Sequence, residues 1–176
     1  MFEGWENYYL MVGSSAGALI GLMFVVVTLT AGRDSIELER GKRLYTSPIV
    51  WHLAVILVLS GAAAAPVMPV SLFAGVTAGL GLLGIMLGIR SAVGISRFFN
   101  STDRGFDAVW YGVAPAVVYV GLVAAGWGMY AGHRWGQAAV GADLMALLLV
   151  SIHAEWDLVT YLAPTAGQAG EAAKDP

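Results

Sequence analysis

His153, Glu155 and Asp157 lie close together in SIHAEWDLVTYL, residues 151–162, within a stretch that otherwise reads as a membrane-spanning helix. Ionisable groups are costly at membrane depth, so they tend to face protein or water and mark candidate sites. His153 and Asp157 are spaced i, i+4 and share a helical face, where imidazole and carboxylate can pair directly. Glu155 falls about 200° around the helix from His153 and must meet something else, either another helix or Ser151. His52, about one turn inside its own span, and Arg90, near the matching end of the next one, are expected at the same depth. The candidate polar or ion site is therefore His52, His153, Glu155, Asp157 and Arg90, with His52 or Arg90 partnering the His153–Asp157 pair across the bundle.

Three kinds of chemistry suit these groups. A His–carboxylate–Arg network can tie helix ends together. Histidines and carboxylates at membrane depth can relay protons or ions. Two histidines and a carboxylate, here His52, His153 and Asp157, form a known ligand type for zinc or iron, so a metal- or haem-binding protein is the third possibility. No H-E-x-x-H or H-x-x-E-H spacing supports that set, and no G-x-S-x-G or P-loop points to hydrolysis. Gly79-Leu80-Gly81-Leu82-Leu83-Gly84 matches G-x-G-x-x-G in letters. A dinucleotide site needs a strand before those glycines, whereas these lie mid-way along an apolar span and read as packing positions. No cofactor and no catalytic residue is assigned. His133, beside Arg134 in a connector, reads as solvated.

The positioning elements follow from composition. Of 176 residues, 58% are hydrophobic and 12% charged, about half the charged share of a soluble domain. The mean hydropathy is +0.72. An all-α polytopic bundle is expected, and with no cysteine in the chain disulfides and thiolate chemistry are excluded. Basic residues are too few and too dispersed for nucleic-acid binding.

Apolar runs predict five spans, at about 8–31, 47–65, 70–92, 106–131 and 137–162. Together they form one transmembrane domain over 1–163, followed by a polar tail at 164–176 with a disordered composition. Gly13, Gly17 and Gly21 make a smooth stripe on the first helix, suited to close approach by another helix of this chain or of a second subunit. The stretch Arg33 to Arg43 reads as a charged connector, with Asp34 and Glu37 able to cap a short helix. Thr46-Ser47-Pro48 reads as the start of the second span. Pro66 and Pro69 break the long uncharged run between Leu44 and Ile89, and Pro115 should kink the fourth helix. The first ten residues lack a basic region, so the first helix is expected to be retained.

With five spans, Arg33, Arg40, Lys42, Arg43, Arg90, Arg97, Arg104 and Lys174 fall on one side and Arg134 alone on the other. The positive-inside rule then places the N-terminus outside and the C-terminus in the cytoplasm. Trp5, Tyr8, Tyr9, Trp127, Tyr130 and Trp135 would form an outer aromatic belt, and Tyr45, Trp51, Phe98, Phe99, Trp110, Trp156 and Tyr161 an inner one.

Trp5, Tyr8 and Tyr9, followed by AGALIGLMFVVVTL at 16–29, together with HAEWDLVTYL in the last helix, resemble a pattern of small bacterial multi-pass inner-membrane proteins. That family is largely uncharacterised, and some members are labelled as modulators of a membrane AAA protease. The resemblance implies a bacterial inner-membrane protein. The expected role is a non-enzymatic membrane component that binds itself or partner membrane proteins in the lipid bilayer. A proton or ion channel or transporter is the alternative.

Overall fold

The computed structural model describes residues 4–29, 36–98 and 109–162, all of the regular structure in them helical. Helix α1 is Glu6–Leu29, α2 Ile36–Ala64 and α3 Val70–Phe98. A single π-helical turn, Val109–Val113, leads into α4, Ala114–Tyr130, and α5 is Trp135–Leu162. The all-α bundle expected from the apolar runs is the fold.

Three of the helices are long and apolar enough to cross a membrane, over Glu6–Thr28, Val70–Arg90 and Trp135–Thr160, and two shorter apolar helices, Pro48–Ala64 and Ala114–Tyr130, accompany them. Their outward faces carry large apolar side chains. Leu10, Phe24, Val117 and Trp156 are each more than 60% exposed, an arrangement suited to lipid rather than water. The protein is a helical membrane protein.

Helix α2 corrects the expected boundary. It does not begin at Thr46-Ser47-Pro48 but at Ile36, and Pro48 lies inside it. Glu, Leu, Arg and Lys are strong helix formers, so the charged stretch read as a connector continues the helix by about three turns. Pro48 removes a single backbone donor, a loss that this long helix accommodates. Asp34, the other half of the expected cap, lies outside the described residues, as does the 164–176 tail.

Proline governs two other breaks. Residues Ala65–Pro69 join α2 to α3, and the carbonyl of Pro69 accepts from the Phe73 amide at 3.0 Å to open α3. Pro115 sits in the first turn of α4 directly after the π turn. Its missing donor therefore falls where the helix changes its hydrogen-bond spacing, rather than inside a regular helix. At the far end of α4, Gly132 has φ +80°. The Gly132 amide donates to the Met129 carbonyl at 3.0 Å and that of His133 to the Gly128 carbonyl at 2.9 Å. These two bonds and the left-handed glycine make a Schellman cap.

Helix α1 packs on α2 and α5, α3 on α2 and α4, and α4 on α3 and α5, while α2 also meets α5. Glycines set the α3–α4 separation. A Cβ on Gly81 would meet Val123 and the Tyr119 carbonyl, one on Gly126 would meet the Ala74 carbonyl, and Gly88 faces Ala116. These pairs run in opposite directions along the two helices, so α3 and α4 are antiparallel. Without a hydrophobic drive between helices in lipid, such close backbone approach supplies the packing. It also gives Gly81, Gly84 and Gly88 their role as packing positions, while Gly79 meets nothing.

Candidate functional site

His153 Nε2 stands 3.4 Å from Asp157 Oδ2, and the two side chains are 36% and 41% exposed. The expected i, i+4 pair is present, but 3.4 Å is long for a hydrogen bond, and Nε2 has no hydrogen-bond partner. It is an electrostatic contact near the surface of the bundle. His52, one of the two expected partners, is engaged by Tyr119 instead. The imidazole lies against Trp110 of the π turn, with ring centroids 4.4 Å apart. Arg90 is exposed on α3, which packs on α2 and α4. Thr160 donates to the Trp156 and Asp157 carbonyls of its own helix, each at 3.0 Å.

His52 has a different partner. Its Nδ1 is hydrogen-bonded to the Tyr119 hydroxyl at 2.7 Å, with the donor set by the imidazole tautomer. Helix α2 begins at Ile36, but its apolar segment is Pro48–Ala64, and His52 lies about one turn into that segment. Both rings are buried, with Tyr119 fully enclosed. The contact exists because Gly84 has no side chain, since a Cβ there would coincide with the Tyr119 ring.

Glu155 faces α1. It is 5% exposed, and its Oε1 has no hydrogen-bond partner. It borders a cavity of about 10 Å³ with Leu22, Met23 and Val26 of α1 and Leu158 and Val159 of α5. Ser151, the alternative partner, donates instead to the Leu147 carbonyl at 2.8 Å. His52, His153 and Asp157 do not assemble into a metal site. Among the described residues no group of three or more His, Asp or Glu side chains is placed to hold a metal ion.

Two polar residues emerge only from the fold. Tyr119 is the first, an aromatic in an apolar helix with no spacing that sets it apart. Asp143 is the second, an isolated acid within the last apolar run. It lies about 12 Å into α5, with its carboxylate against Gly121 of α4 and its Oδ2 buried without a partner. An acid surrounded by apolar residues was the signal that would have found it.

The first-helix aromatics are not a headgroup belt. Tyr9 is fully buried. Tyr8 donates its hydroxyl to the Gly141 carbonyl of α5 at 2.6 Å, and Tyr9 to that of Gln137 at 3.5 Å. Trp5 covers Gly141 and meets Tyr8 edge-on, with ring centroids 5.4 Å apart. These three clamp the start of α1 to the start of α5, so the two helices run parallel. Trp127, Tyr130 and Trp135 are exposed, as a belt requires, and His133 stacks on Trp135.

The glycine stripe divides. Gly13 is buried, and a Cβ there would stand 3.0 Å from Ser60 Cβ of α2. Gly17 and Gly21 are exposed and meet nothing within 4 Å. Ser14 and Ala18 are exposed beside them.

No family model matches this chain, and neither a curated protein nor a solved structure shows significant similarity to it.

Proposed function

We propose that the protein is a small, non-enzymatic component of a bacterial cytoplasmic membrane that binds a second copy of itself, or a partner membrane protein, through α1. The open face of Ser14, Gly17, Ala18 and Gly21 carries this proposal. Small residues let helix backbones approach in lipid, where van der Waals contact drives association. Gly13 spends that property inside the bundle, against Ser60, whereas Gly17 and Gly21 leave it unused. The basic residues, eight against one, support a cytoplasmic C-terminus and an external N-terminus.

Gly17→Leu tests the proposal. The detergent-solubilised protein is expected to lose its larger assembly while the single chain keeps its unfolding temperature. Gly13→Leu is expected to lower that temperature instead. An unchanged size for Gly17→Leu means that this face meets only lipid.

A proton or ion pathway is the second possibility. It is favoured by the unpartnered oxygens of Asp143 and Glu155 inside the bundle. Proton flux into liposomes holding wild-type or Asp143→Asn protein tests it.

A further inference from the structure

We propose that Glu155 and the small cavity beside it form a proton-binding site at the contact of α1 with α5. The carboxyl group is 5% exposed and its Oε1 has no hydrogen-bond partner. An isolated carboxylate in such surroundings costs far more than a neutral acid, so the group must take up a cation or a proton. The lining decides between them. Leu22, Met23, Val26, Leu158 and Val159 offer only aliphatic and thioether side chains. A hard metal cation requires six or more oxygen ligands, and Glu155 alone cannot supply them. A proton needs one oxygen.

Among the described residues no neighbouring charge competes for the carboxyl. Helix α1 presents no titratable group to the cavity. On α5, His153 and Asp157 pair with one another on a different face. His52 of α2 is taken up by Tyr119, and Arg90 lies exposed on α3. The cavity, about 10 Å³, is close to the volume that admits a single water. Leu22, at the edge of the cavity, is half exposed on the outer surface of α1, the side from which an apolar reagent would approach.

An apolar carbodiimide, dicyclohexylcarbodiimide, tests the site on the full chain in detergent micelles. A protonated carboxyl transfers its proton to one carbodiimide nitrogen as its oxygen bonds the central carbon, and the adduct rearranges to a stable acylurea. Peptide mass spectrometry is expected to place one adduct on Glu155. The adduct is lost in Glu155→Gln and kept in Asp157→Asn. Glu155→Gln, an isostere of the neutral acid, is expected to unfold at the wild-type temperature. An unlabelled wild-type chain, or label on Asp143 or Asp157 in place of Glu155, overturns the proposal. So does a sharp loss of stability in Glu155→Gln, which would show a charged carboxylate held by a partner.

Discussion

The ring of Tyr119 rests on the backbone of α3 at Gly84, in the space a side chain would otherwise fill. From there its hydroxyl reaches His52 Nδ1 on α2 at 2.7 Å. One side chain on α4 thereby joins three helices. The absence of a methyl group at one position makes a buried hydrogen bond possible between two others.

Gly84→Ala is expected to lower the unfolding temperature in detergent more than Gly79→Ala, which meets nothing within 4 Å. Tyr119→Phe leaves His52 buried without its partner and is expected to cost about 1–3 kcal/mol. Combining it with His52→Leu should recover part of that loss, because both polar ends are then removed. Equal melting of Gly84→Ala and Gly79→Ala would show that the Tyr119 ring does not need this position.

The His153–Asp157 pair is expected to behave differently. Its side chains are more than a third exposed and 3.4 Å apart, so solvent and salt screen it. A double-mutant cycle with His153→Gln and Asp157→Asn should give a coupling of about 0.2–1 kcal/mol that shrinks in high salt. A coupling several times larger and insensitive to salt would place the pair in a far drier setting than its exposure indicates.

Orientation has a direct readout. A reporter active only outside the cytoplasm, fused after Pro176, is expected to be silent, and the same reporter before Met1 to be active. The basis is the eight-to-one distribution of basic residues over alternate connections. Activity at the C-terminal fusion would reverse the assignment.

Local and pairwise features were legible at different levels. The apolar runs revealed the helices, because lipid demands long uncharged segments and a satisfied backbone. Pro66 and Pro69 marked the α2–α3 connector for the same local reason. The spacing of His153 and Asp157 gave their contact, since one helix fixes both ends. The start of α2 was misread because a hydroxyl followed by proline looks like a cap, whereas Pro48 lies within the helix. His52 with Tyr119, Glu155 with α1 and Asp143 with Gly121 each join helices distant in sequence, and no periodicity encodes such pairings. The stripe of Gly13, Gly17 and Gly21 showed where an approach was possible. It did not show that, among the described residues, Gly13 alone of the three has a neighbour within 4 Å.

The clamp of Trp5, Tyr8 and Tyr9 on Gly141 and Gln137 bears on the order in which the molecule is built. Synthesis proceeds from the N-terminus, so α1 is made well before the surface of α5 that receives its aromatics. Until α5 arrives, two tyrosine hydroxyls and an indole wait without their seat. Helix α1 therefore lingers with its aromatic seat unfilled, and this corner of the bundle locks only when α5 is inserted beside it.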